Sequence, residues 1–408
     1  MWLALGHLLL VCDAAVALFN ITLSSFPAVS HLRYPERKSY VRRQRAIPPS
    51  TPFPCAGVEP LRSREPPTSV HRLRPGDIDV VAAIGDSLVA GSGALEEYAL
   101  GAFVEYRGVS WCAGGDSTWR EYLTLPNILK EFNPNLRGFS TGTGEWLARN
   151  ARLNVAFPVA SDQDALKQAK IIVARMRASP DIDISRDWKM ITVFIGANDL
   201  CSASCLSPVA WSPAAHARKL ARALDYLYQH LPRTFVNLVP VLDVSVSLRV
   251  SRPLMCRLMH PLFCTCLHGA APPAERLRAL VAAARRYQKA EEQLVESGRY
   301  SGREDFAVVV QPFMRLFNLP LPLPLRLSRV IHQSYITHDC FHFSQKGHAL
   351  AANLLWNNLL EPVGNKTQNA PPELLRSFRC PPRDAPFLFT ARNSPPFLAH
   401  GRQPHADL

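Results

Sequence analysis

Four short, almost uninterrupted apolar runs constrain the fold of this chain more than any other feature. They lie at residues 78–84, 188–195, 234–242 and 306–310. A strand with one wet face alternates apolar and polar residues. A run that is apolar throughout suits a strand buried on both faces, as in a parallel sheet covered by helices. The first two runs stop at glycines, Gly85 and Gly196.

Helical patterns fill the intervals. Ser212-Pro213 supplies an N-cap and a first-turn proline, and Leu220, Leu224, Leu227 and Leu231 follow on one stripe. A second stripe, Leu277, Leu280, Val281, Ala284 and Tyr287, is closed by Gly298. Residues 164–176 predict another helix, and Ser344 caps a last one through Leu359. Strands alternating with helices imply right-handed βαβ units and a doubly wound sheet. Residues 319–325 alternate Leu and Pro and predict an extended loop.

The expected organisation is a possible signal segment at 1–19, a Pro/Arg-rich linker at 20–75, one large α/β domain at 76–364 and a Pro-rich tail at 365–408. The first segment is apolar except for His7 and Asp13, although no basic residue precedes it. Sequons at Asn20 and Asn365 fit a secretory route. No other apolar stretch reaches the roughly 18–20 residues that span a bilayer, so no transmembrane segment is expected.

With 47% hydrophobic and 19% charged residues, the chain is not composed like a disordered one. Its net charge of +13 suits a solvated basic surface or attraction to an anionic interface. No zinc-finger, RRM or homeodomain pattern accompanies that charge, so no nucleic-acid partner is expected. Ten cysteines, some closely paired as Cys201/Cys205 and Cys264/Cys266, predict disulfides in an oxidising compartment, with connectivity left open. A rival reading is a zinc site at His260, Cys264, Cys266 and His268, but the Cys-x-Cys spacing is unlike a zinc knuckle.

Three polar clusters could carry chemistry. Gly85-Asp86-Ser87-Leu88 follows the first strand, where the carboxyl ends of a parallel sheet open onto the ligand crevice. Ser87 there is a candidate nucleophile, or, more plainly, part of a helix cap. Asp339-Cys-Phe-His342 could supply a base with its orienting carboxylate on one loop. Gly196-Ala-Asn198-Asp199 ends the second strand. Asn198 could donate to an oxyanion, and Asp199 is a second candidate partner for His342; a plain turn would use the same residues. Each cluster is weak alone, but together, at strand ends and loops, they provide nucleophile, base, orienter and oxyanion donor.

In that order the motifs resemble the GDSL/SGNH hydrolases, and among them the catalytic repeats of membrane-associated phospholipases B. Matching stretches include residues 70–75, 106–111, 125–129, 194–201, 303–306, 308–313, 339–343 and 355–364, so the resemblance extends over about residues 54–394. It implies a flavodoxin-like three-layer α/β/α sandwich with a mostly parallel sheet. It further implies hydrolysis of phospholipid and lysophospholipid acyl esters, and of retinyl esters as an extension, with no metal or cofactor. The expected substrate sits at a membrane or micelle surface, and the expected protein is a monomer, secreted or on the extracellular face of the apical membrane. One departure stands out. Val159 occupies the position where these enzymes usually place an oxyanion-hole glycine, and a β-branched residue resists positive φ. Loss of one oxyanion donor can cost roughly 10²–10³ in rate. A catalytically weak lipid-binding homologue and an esterase for acetylated sugars are therefore the alternatives.

Overall fold

The computed structural model describes residues 42–249, 258, 260, 261, 263–267, 273–318, 332–368 and 378–399. The signal segment, the Asn20 sequon, His268 and the Leu-Pro stretch at 319–325 lie outside them.

The four apolar runs form the four strands of one parallel sheet: β1 Ile78–Gly85, β2 Trp188–Phe194, β3 Thr234–Leu238 and β4 Phe306–Val310, paired in the order β1-β2-β3-β4. The third strand stops earlier than its apolar run, which reaches Leu242, because Pro240 has no N–H for the ladder. Beyond the other edge of β1, Arg137 and Asn154 make parallel bridges to Val80 and Ala83. The chain thus leaves β1 toward one side, then returns to β2 on the other. That reversal makes the carboxyl end of β1 a topological switch point, where open α/β sheets bind ligands.

Side chains of the sheet divide between two cores. Val80, Ala82 and Ile84 of β1 pack with Ile191 and Val193 against α3 (Ala165–Ala178) and α4 (Pro213–His230). Ile78, Val81 and Ala83 face the opposite way with Trp188 and Met190. They meet α2 (Leu125–Lys130), α5 (Pro273–Glu296) and α6 (Gln345–Leu359). A short α1, Ser87–Ala90, leads directly out of β1. The result is the three-layer α/β/α sandwich. The sequence caps are used: Ser212 Oγ accepts from Ala215 N–H and Ser344 Oγ from Gly347 N–H.

Two expectations need correction. Residues 42–75 are not a loose linker. Phe53 is buried beside Trp119, and the Gln44 side chain donates to Trp119 O at 2.9 Å. Cys55 is joined to Cys380, tying this segment to residues 378–399 of the tail, where Leu388 and Phe389 are buried. Apolar residues spaced too irregularly to show a period nonetheless fill gaps at the edge of the core. The zinc alternative also falls, because Cys264 is bonded to Cys201 and Cys266 to Cys205, so neither presents a free thiolate.

Candidate active site

Ser87 is the first residue of α1, immediately after the turn from β1. The turn needs a glycine: a Cβ on Gly85 would lie 2.4 Å from Val89 Cγ2 and 2.8 Å from Phe194 O. Gly85 is also held by a two-way amide pair with Gln168, its N–H donating to Oε1 and its C=O accepting from Nε2, both at 2.8 Å. Asp86 does cap the helix, its Oδ1 accepting from Leu88 N–H at 2.9 Å. Burial pushes the Asp86 carboxyl up to about 6, with Leu88 N–H and His342 opposing. The capping reading and the nucleophile reading therefore apply to adjacent residues, and both are occupied.

His342 comes from the loop preceding α6. Its Nε2 stands 2.9 Å from Ser87 Oγ, and its Nδ1 stands 2.6 Å from Asp339 Oδ2. All three side chains are buried. The other Asp339 oxygen accepts from Phe341 N–H at 2.8 Å, His342 N–H at 3.0 Å and the Thr337 hydroxyl. Burial alone would raise this carboxyl. The adjacent imidazole and these donors outweigh it and hold Asp339 well below the usual carboxylate range. An ionised carboxylate fixed on Nδ1 presents the other ring nitrogen to the serine hydroxyl.

Phe263 and Phe341 stack on each other at 5.4 Å and stand edge-on to the His342 ring at 5.7 and 5.3 Å. The disulfides from Cys201 and Cys205 pin the segment that bears Phe263 to the loop after β2.

Asp199 does not reach the imidazole. Its carboxylate accepts from Asp162 N–H at 3.1 and 3.3 Å, while Asp339, the acid that the loop spacing favours, stands against His342 Nδ1. The preceding residue, Asn198, donates its amide to Ala160 O at 2.9 Å. Those bonds zip the turn after β2 to segment 160–162. The amide has a second N–H left to offer.

Val159 adopts a φ of +56° and is 80% exposed. Val159 thus takes the conformation that a β-branched residue resists. The Asn198 bond to Ala160 O and the Asp199 bond to Asp162 N–H hold the backbone on its carboxyl side, and the Val159 side chain escapes into open space rather than clashing.

Beneath this segment lies a network that sequence reasoning missed. His216 of α4 is fully buried between Asp162 Oδ2 and Glu291 Oε1 of α5, each at 3.1 Å. Lys219 Nζ reaches the other Asp162 oxygen at 2.7 Å, and Glu291 Oε2 accepts from Val241 N–H at 3.0 Å. Burial works against the imidazolium, but its bonds to Asp162 and Glu291 lift His216 to about 9. Burial and the nearby Asp162 carboxylate raise Asp199. A signal for this network was present: His216 and Glu291 extend the Leu220/Leu224 and Ala284/Tyr287 stripes, so each is a polar residue on an otherwise apolar helix face. Gln168 interrupts the apolar face of α3 in the same way.

Comparison with known proteins decides the family. Residues 81–355 match the model of the GDSL-like lipase/acylhydrolase family, a span that includes Ser87, Asn198, Asp339 and His342. The chain belongs to that family. The chain is similar to the mouse protein named "Phospholipase B1, membrane-associated", at 42% identity over 352 residues, covering 84% of this chain and 23% of that protein. The human protein of the same name is 41% identical over 383 residues, 92% of this chain and 25% of the relative. The rat protein is 42% identical over 348 residues, 84% and 23%. The chain thus spans about a quarter of the length of these curated relatives.

Proposed function

We propose that this chain hydrolyses acyl esters of phospholipids and lysophospholipids at a membrane or micelle surface, with Ser87 as nucleophile. The observation that carries the reading is the line of contacts from Ser87 Oγ to His342 Nε2 at 2.9 Å and from His342 Nδ1 to Asp339 at 2.6 Å.

In the first step His342 takes the hydroxyl proton while Ser87 Oγ bonds to the ester carbonyl carbon. The second N–H of the Asn198 amide and the backbone N–H groups of Ser87 and Val159 stabilise the oxyanion. The carbon–oxygen bond to the lysolipid or glycerol alcohol then breaks, and that alcohol leaves with the proton from His342. Water, deprotonated by His342, attacks the acyl-enzyme, releases the fatty acid and restores Ser87. Asp339 keeps the imidazole in the required tautomer throughout.

The names of these relatives support phospholipid as the substrate class. The disulfides Cys55–Cys380, Cys201–Cys264 and Cys205–Cys266 support a protein that folds in an oxidising compartment and acts outside the cytosol. Among the described residues no helix is long and apolar enough to cross a membrane. The test is release of fatty acid from lysophosphatidylcholine by the purified protein and by Ser87→Ala. The native chain is expected to turn over, and the variant to stay folded and inactive. Turnover by the variant would remove Ser87 from the mechanism.

A further inference from the structure

Singly exposed leucines and valines are ordinary on any protein surface. Their distribution here is not ordinary. Leu100, Phe103, Val159, Leu206 and Val209 are between 63% and 86% exposed, and all five fall on segments that follow β1, its edge segment or β2. Leu100 and Phe103 follow β1, and Leu206 and Val209 follow β2. Val159 follows the edge segment whose Asn154 bridges Ala83. Of the segments entering the strands, residues 179–187, 232–233 and 297–305 expose no large apolar side chain, and the segment before β1 exposes only Leu61, at 39%.

These residues surround the candidate active site. Ala160, next to Val159, bonds the Asn198 amide. Lys219 bonds both Ala210 O, on the loop of Leu206 and Val209, and Asp162. On the remaining side, Arg43 donates to Leu95 O and to Glu97, whose carboxylate also faces His338, close to His342.

Cations are interleaved with the apolar groups. Lys219 Nζ lies 3.9 Å above the Trp211 ring. Lys167 approaches the Trp146 and Phe157 rings at 5.7 and 5.6 Å, and Arg175 approaches Trp146 at 5.8 Å. The chain as a whole carries +13. Apolar tips beside aromatic rings and basic groups match a surface that inserts at the headgroup boundary of an anionic bilayer.

We propose that the loops at the carboxyl ends of β1, the edge segment and β2 form a rim that docks the protein on an anionic lipid surface, with Ser87 facing the bilayer. The proposal rests on the phospholipid reading above and adds to it the surface by which the substrate is reached. A long-chain lipid then moves from bilayer to serine without crossing bulk water.

The experiment uses the full chain with phosphatidylcholine vesicles prepared with and without phosphatidylserine. Two variants on separate loops are compared, Leu100→Ser/Phe103→Ser and Leu206→Ser/Val209→Ser. Co-sedimentation is expected to be stronger with phosphatidylserine and to weaken with added salt. Each variant is expected to lose at least about tenfold in vesicle binding, since each deletes the burial of two large apolar groups. Hydrolysis of a water-soluble short-chain ester is expected to be unchanged in both variants, which certifies that they are folded. Undiminished vesicle binding in both variants would overturn the proposal. So would binding indifferent to phosphatidylserine, or a dimer in solution that both variants dissolve, since a second copy would then be the occupant. A native protein that binds anionic vesicles through these loops but hydrolyses no ester would sustain the rim and refute the hydrolase reading.

Discussion

His342 reaches Ser87 across 255 positions of sequence, with its Nε2 2.9 Å from the serine Oγ. The two residues come from opposite ends of the domain and meet because β1 delivers one to the switch point and the loop before α6 delivers the other.

If Asp339 orients that imidazole, Asp339→Asn should lower kcat by about 10³–10⁴, because an amide favours the wrong tautomer. Asp199→Asn should lower it less than about tenfold, since an Asn oxygen can still accept from Asp162 N–H. Steady-state kinetics on a soluble ester compares the two. A larger loss from Asp199→Asn would reverse the assignment.

If the second N–H of the Asn198 amide donates to the oxyanion, Asn198→Ala removes that donor. It should lower kcat by about 10²–10³ with little change in KM. A rise in KM alone would mean that Asn198 serves binding rather than the oxyanion.

Val159 carries a left-handed backbone without a packed side chain to compensate, at φ +56° and 80% exposure. Val159→Gly should therefore raise stability by about 1 kcal/mol in denaturant melts and leave kcat within a few fold, since glycine keeps the N–H. A stability loss would show that the Val159 side chain has a partner in the folded state.

The buried His216 should give a pH-dependent contribution to stability. Its folded pKa of about 9 lies above the unfolded value of about 6.5. The imidazolium's stabilisation is then full below about pH 6.5 and is lost as pH rises through about 9. Chemical denaturation of the native protein and His216→Gln across pH 6–10 should show a stability gap that narrows with rising pH. A gap that widens would contradict a charged His216 between Asp162 and Glu291.

Much of this was readable from sequence, for identifiable reasons. Strands buried on both faces write themselves as apolar runs, and the caps at Ser212 and Ser344 use local chemistry. The Asp339–His342 pair was legible because its three-residue spacing lies on one loop. What was not legible depended on distant contacts. Val159's conformation was set by bonds made by Asn198 and Asp199 rather than by its own preference. The fold of residues 42–75 depends on partners such as Trp119 and Cys380, and no local period announces those.

The most direct measurement is covalent labelling with a fluorophosphonate, followed by mass spectrometry of the modified peptide. The account predicts one labelled residue, Ser87, with labelling abolished in His342→Ala while that variant remains folded. A native, folded protein that does not label, or that labels at another serine, would contradict it.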